Sequence, residues 1–237
     1  MSYLIRQTSP ADPAVRLVCF PHAGGSASFF RSWSRHLPPT VELLSVQYPG
    51  RESRFSETLI PSMAPLSSAV AQQLLTLAPV RTVLFGHSMG AAVAYETLLR
   101  LEDAGAAHFT RLCVSGRSLT GAPGKAVRTD EEVIEAVRSL GGTNGLVFDD
   151  PDLRDMLLPI IRNDYQLIDT YRRSEDAPIL RAGIIAMTGD KDPQVAPREA
   201  EEWSTTTIGS FSLSVFDGDH FYLVSAAERV ARLAVAP

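Results

Sequence analysis

Six short apolar runs alternate along this chain with longer stretches of helical period, and that alternation restricts the fold more than any other feature. The runs are 14–20 (AVRLVCF), 41–47 (VELLSVQ), 80–85 (VRTVLF), 110–115 (TRLCVS), 183–188 (GIIAMT) and 210–216 (SFSLSVF). Several are almost continuously apolar, as strands covered on both faces must be. The last alternates Phe211, Leu213 and Val215 with serines and reads as an edge strand. Residues 3–7 add a weaker seventh run. Helical stretches over 26–37, 62–78, 89–104, 197–205 and 221–235 each roughly fill a strand-to-strand crossover. In the third, Ala91, Ala94, Tyr95, Leu98 and Leu101 have the spacing of one helix face, and Gly105 stands where a helix ends. The pattern predicts an α/β fold with a mostly parallel central sheet and helices on both faces.

Between Ser115 and Gly183 lie about 67 residues, far more than one crossover needs, so the spacing predicts an insert at about 117–180 within a single domain spanning 1–237. Two helices are legible inside it. Thr129 with Glu132 forms a capping box for the first, which ends at Gly141-Gly142. Asp150-Pro151 opens the second, with an apolar stripe of Leu153, Met156, Leu157, Ile160, Ile161, Leu167, Ile168 and Tyr171 and an expected kink at Pro159.

Charge and targeting signals narrow the function. With 22 Lys and Arg against 27 Asp and Glu, the net charge is -5, which disfavours a nucleic-acid binder. No apolar run approaches the roughly 18 residues of a membrane span, and the start lacks the pattern of a signal peptide, so a cytoplasmic protein is expected. Cys19 and Cys113 sit inside apolar runs and read as buried, reduced core residues.

The chemistry centres on Gly86-His87-Ser88-Met89-Gly90, a G-x-S-x-G pentapeptide directly after one predicted strand and directly before the best helix. A serine on so sharp a turn projects its hydroxyl alone, while the flanking glycines let strand and helix approach closely. Serine is a poor nucleophile at neutral pH and needs a base, itself oriented by an acid. In this context the order is serine, acid, histidine. Of the histidines after Ser88, His108 falls in a polar linker, whereas His220 follows the last strand in Asp217-Gly218-Asp219-His220 and is the predicted base. His22 and His87 are disfavoured as bases. For the acid, GIIAMT runs into Gly189-Asp190-Lys191-Asp192-Pro193 at the carboxyl end of a strand. Asp192 is preferred; Asp190 remains open, with a plain role as a loop cap. A metal site formed by Asp190, Asp192, Asp217 and Asp219 is disfavoured because nothing there resembles a calcium loop.

Negative charge on the tetrahedral intermediate calls for backbone N–H donors, each contributing roughly 3 kcal/mol. Met89, following the nucleophile, is one. The other is expected in Pro21-His22-Ala23-Gly24-Gly25-Ser26, with Ala23 preferred, because its glycines let backbone come close to a ligand.

FPHAGGSASFF (20–30), YPGRESR (48–54), FGHSMGAAVAYE (85–96), the long insert, TGDKDP (188–193), a lone Trp203 and FDGDHFYL (216–223) together resemble the stand-alone type II thioesterases that accompany polyketide synthases and nonribosomal peptide synthetases. The resemblance implies an α/β-hydrolase fold and an editing enzyme that strips stalled acyl groups from the phosphopantetheine arm of a carrier protein. By position it carries over Ser88, Asp192 and His220, with Met89 and Ala23 as oxyanion donors, and implies that the insert is a lid whose stripe covers an acyl chamber. No cofactor is implied, and a monomer meeting its acyl or peptidyl carrier protein transiently is expected. Arg51 and Arg54 are candidates to meet an acidic carrier, although arginines near turns more often pair with local carboxylates. From Arg117 to Arg181 the chain has 9 basic and 12 acidic residues, so a broadly basic carrier-binding lid is not supported. The competing readings are a carboxylesterase or lipase acting on small oxygen esters, without carrier preference, and a non-catalytic carrier-binding partner.

Overall fold

Strands β1 (Leu4–Arg6), β2 (Val15–Phe20), β3 (Val41–Val46), β4 (Thr82–His87), β5 (Phe109–Ser115), β6 (Gly183–Gly189) and β7 (Phe211–Phe216) join one sheet in the order β1-β3-β2-β4-β5-β6-β7. The computed structural model describes residues 2–121, 128–140 and 148–237. Only β1 runs antiparallel, against β3; every other pairing is parallel. Every residue of β2, β3 and β4 is buried, which accounts for their mostly apolar runs, and β7 is the half-exposed edge that its alternation predicts. From β2 the chain steps to β3 on one side and returns as β4 on the other. The carboxyl ends of β2 and β4 therefore flank the switch point where open α/β sheets bind ligands.

Alternation along the strands splits the core in two. Val18, Phe20, Leu44, Leu84 and Val114 face α1 (Met63–Leu75) and α2 (Met89–Asp103). Leu17, Cys19, Leu43, Val83, Phe85 and Cys113 face the other layer, built from a 3-10 helix over Ala27–Arg35 and from α7 (Ala227–Val235). Each large apolar side chain so buried contributes about 1.5–3 kcal/mol. Both cysteines are free and fully buried, and burial pushes the Cys113 thiol up to about 12.

Three predicted helices take different forms. Residues 27–35 form a 3-10 helix because the buried set is Ala27, Phe30 and Trp33, a spacing of three that aligns side chains at three residues per turn. Phe30 and Trp33 meet edge to face at 5.1 Å, and Trp33 lies 4.8 Å from Phe85. The stretch at 197–205 is α5 (Pro197–Glu201) running into a 3-10 turn over Glu202–Thr206, and that at 221–235 divides at Ala226 into α6 (Tyr222–Ser225) and α7.

The insert leaves the sheet after β5 and returns at β6. In α3 (Asp130–Ser139) the Thr129–Glu132 capping box forms as expected, and Asp150 caps α4 (Pro151–Thr170) by accepting from the N–H groups of Asp152 and Leu153 at 2.9 and 3.1 Å. Helix α4 continues through Pro159; Gly141-Gly142 lies outside the described residues. Val133, Val137, Phe148, Leu158, Ile161 and Tyr165 form a third apolar cluster that reaches Ala23. The predicted stripe is shortened at its start, because Leu153 and Met156 are exposed while the buried face begins at Leu158.

Candidate active site

The G-x-S-x-G segment forms the turn between β4 and α2, and its two glycines are dictated by contact. A Cβ on Gly86 would meet the Gly90 carbonyl oxygen at 2.2 Å, and one on Gly90 would meet the Phe20 carbonyl oxygen at 2.1 Å. Ser88, at φ 55° and ψ −119°, occupies a region L side chains rarely adopt. This strain is held by the Ser88 N–H donating to the Ser115 carbonyl at 2.7 Å and by the Ala91 N–H donating back to the Ser88 carbonyl at 3.0 Å.

The loops at the β6 and β7 ends converge. His220 Nδ1 lies 2.9 and 3.0 Å from the two carboxylate oxygens of Asp192, and both side chains are completely buried. Asp192 also accepts the Gln194 N–H at 2.9 Å, while His220 Nε2 is buried with no hydrogen-bond partner. Asp190 turns the other way, accepts the Gly218 N–H at 2.8 Å, and so caps the loop. Asp217 pairs with Lys191 at 3.0 Å and Asp219 accepts the Phe221 N–H at 2.8 Å, so the four aspartates serve four separate contacts. Among the described residues no cluster of three or more His, Cys, Asp or Glu could hold a metal.

The remaining histidines are not brought to a carboxylate. His108 precedes β5 at the end of the sheet opposite Ser88. His87 Nδ1 lies 3.0 Å from Ser115 Oγ, itself 2.6 Å from the Tyr222 hydroxyl, and the His87 ring lies 4.9 Å from that of His220. His22 packs edge to face on Phe29 and Phe221 at 4.8 and 5.0 Å. Burial above all, then the neighbouring His220 and Arg51, lowers His22 to about 3; burial and the other two histidines also hold His87 well below the ordinary range. The two histidines beside His220 are thus held neutral.

Ser88, Met89 and Ala23 line one cavity of about 210 Å³. The N–H groups of Met89 and Ala23 have no partner among the described residues. Its walls include Leu157, Ile161 and Ile168 from α4 and Val137 from α3. Arg128 enters as an ion pair with Asp169 at 2.5 Å, whereas Arg117 lines the cavity without a carboxylate partner among the described residues.

Arg51 and Arg54 are not free to meet a partner. They are 5% and 3% exposed, Arg51 paired with Asp164 at 2.8 Å and Arg54 with Glu57. Asp164 had no place in the sequence reading. Its signal was a carboxylate on the buried face of α4, three residues after Ile161 and three before Leu167.

A parallel sheet with a strained serine between β4 and α2 and a buried Asp–His pair beyond β6 and β7 defines an α/β-hydrolase. More narrowly, the chain belongs to the Thioesterase domain family, whose model matches residues 15–236, and is a thioester hydrolase. It is 43% identical over 230 residues to the probable cadicidin biosynthesis thioesterase of Streptomyces griseus, covering 95% of this chain and 63% of that protein. It is 41% identical over 224 residues to thioesterase PikA5 of Streptomyces venezuelae, covering 92% and 79% of the two chains. The structure matches the type II thioesterase BorB from the borrelidin biosynthetic cluster with a TM-score of 0.88 at 38% identity, over 98% of this chain and 95% of that one. No described helix is long and apolar enough to cross a membrane.

Proposed function

We propose that this thioesterase is an editing enzyme that hydrolyses stalled acyl groups from the phosphopantetheine arm of carrier proteins in polyketide or nonribosomal peptide assembly. The observation that carries the reading is Ser88, on its strained turn, lining the same cavity as Met89 and Ala23, whose N–H groups have no partner among the described residues, together with the buried Asp192–His220 pair in the loops after β6 and β7. Ser88 Oγ attacks the thioester carbonyl while His220 Nε2 takes its proton, and Asp192 holds Nδ1–H and stabilises the imidazolium. The N–H groups of Met89 and Ala23 receive the developing oxyanion. The thiol departs with the proton from His220; water activated by the same nitrogen then cleaves the acyl-serine and releases the acid. These steps draw on no cofactor. A cavity of about 210 Å³ lies below the range of ordinary drug-sized pockets and suits a short acyl chain. The biosynthetic settings in the names of the cadicidin and borrelidin proteins support carrier-bound substrates.

The test is time-resolved mass spectrometry of a carrier protein loaded with acetyl, propionyl or longer acyl groups, incubated with wild type or Ser88→Ala, beside a free oxygen ester. Loss of the acyl mass with wild type alone, faster than cleavage of the free ester, is expected. Equal loss with Ser88→Ala would remove the nucleophile assignment, and cleavage of the free ester alone would make the protein a small-molecule esterase.

A further inference from the structure

The loop carrying Ala23 is held from the insert. Asp164, on α4 and 2% exposed, accepts the Gly24 N–H at 2.8 Å through Oδ2, a contact spanning 140 residues of sequence. Arg51 grips the same carboxylate with both terminal nitrogens, Nη1 to Oδ2 and Nη2 to Oδ1, each at 2.8 Å, and Nη1 also donates to the Gly25 carbonyl at 3.1 Å. Two consecutive loop residues are thereby fixed from one carboxylate and one guanidinium. The Gly25 N–H closes the turn onto the His22 carbonyl at 2.9 Å. Gly24 sits at φ +76°, and a Cβ there would lie 2.8 Å from Ile161 Cγ1, so α4 packs directly on the loop backbone. The Arg51 guanidinium is steadied in turn over the Tyr48 ring, 5.3 Å from its centroid, and the Tyr48 hydroxyl donates to the Pro21 carbonyl at 3.2 Å.

A buried carboxylate costs several kcal/mol in desolvation and is retained only where its hydrogen bonds are well made. Here each carboxylate oxygen meets an Arg51 nitrogen, and Oδ2 also takes the Gly24 N–H. The residue next to this anchor is Ala23, which lines the cavity that Ser88 shares and whose N–H has no partner among the described residues.

We propose that Asp164 and Arg51 are positioning residues that orient the Ala23 N–H as an oxyanion donor, so that the second half of the oxyanion hole is complete only while α4 is docked on the sheet. The inference rests on the reading of Ala23 as an oxyanion donor given above. Displacing α4 breaks the Gly24 bond and frees the turn, which links insert closure to the chemical step as well as to the shape of the cavity.

The test compares Asp164→Asn with wild type on an acyl carrier protein and against an alkylboronic acid, which forms a tetrahedral anion on Ser88 and needs the oxyanion hole. Asparagine keeps the size of the side chain but turns an amide toward the Arg51 donors. The expected result is a kcat about 10- to 100-fold lower, part of the 10²- to 10³-fold lost when a whole oxyanion donor is removed. KM is expected to stay within about threefold, and the boronate inhibition constant to rise by the same factor as kcat falls. Asn163→Ala removes a neighbouring bond of α4, to the Ile60 carbonyl at 3.1 Å, while leaving the Asp164 contacts to Gly24 and Arg51 in place, and is expected to keep kcat and boronate affinity within about threefold. Unchanged kcat and boronate affinity in folded Asp164→Asn would overturn the inference while wild-type hydrolysis left the thioesterase reading intact. An inactive wild type would overturn both. Should Asp164→Asn fail to fold, Arg51→Lys, which keeps the charge but gives up the two-pronged grip, is read by the same two assays and decides by the same criteria.

Discussion

Two aspartates share the loop after β6, and exchanging each for asparagine separates their roles. Asp192 lies 2.9 and 3.0 Å from His220 Nδ1 with no solvent at either side chain, whereas Asp190 accepts one backbone N–H and is partly exposed. In Asp192→Asn the amide can donate to Nδ1, which moves the imidazole proton to Nε2, the atom that must accept the proton of Ser88. Losing the acid in such a triad while keeping its shape costs about 10⁴-fold in turnover. At about 1.36 kcal/mol per tenfold, that is roughly 5.5 kcal/mol of transition-state stabilisation. Asp190→Asn keeps an acceptor for the Gly218 N–H, so activity should stay within about threefold and stability within about 1 kcal/mol. The assay is single-turnover release of a short acyl group from a carrier protein at fixed pH, with thermal unfolding measured on the same samples. If Asp192→Asn keeps more than a tenth of wild-type turnover, or Asp190→Asn proves the more damaging, the acid has been misassigned and the geometry of the buried pair does not govern the chemistry.

Acid should destabilise the fold through His22 and His87. His22 is held neutral to about pH 3 and His87 also well below its ordinary value, so below about 6.5 the unfolded chain binds protons that the folded chain refuses, and stability falls as pH drops. At pH 5 this amounts to about 2 kcal/mol for His22 alone; a Tm that His22→Phe leaves as steep a function of pH between 7.5 and 5 as in wild type would refute that assignment. Gly90→Ala forces a Cβ to within 2.1 Å of the Phe20 carbonyl oxygen, where only backbone could give way, and should cost about 3 kcal/mol, or roughly 6–12 °C in Tm. Gly105→Ala meets nothing within 4 Å and pays only for its φ of +76°, about 1–2 kcal/mol; calorimetry placing the two substitutions in the reverse order would contradict the contact argument.

The parts of this molecule that were legible in the sequence are those whose causes are local. The parallel strands announce themselves because both faces are covered, and Thr129 with Glu132 announces a helix start because its bonds close within three residues. The serine elbow was legible for the same reason: strand, strained residue and helix follow one another directly, and the glycines it needs lie two positions to either side. Even local patterns fail where two periods fit the same residues. Ala27, Phe30 and Trp33 suit a helix of either kind until Phe85 selects spacing three by packing beneath Trp33.

What could not be read depends on residues that meet only after folding. Asp190 and Asp192 occupy one short loop, and nothing in their spacing says which faces His220 and which faces Gly218; the ends of β6 and β7 decide that. Arg51 read as a turn arginine more often paired with a local carboxylate than free for a partner, yet its carboxylate lies 113 residues away on α4. The same carboxylate reaches back to Gly24 beside the cavity that Ser88 lines. The insert, which looked in the sequence like an addition to a finished hydrolase, therefore holds part of the loop that lines the cavity beside Ser88. A loop rich in glycine can approach a substrate closely because it has no side chains to hold it off, and for that same reason it needs an anchor from elsewhere to keep one N–H aimed.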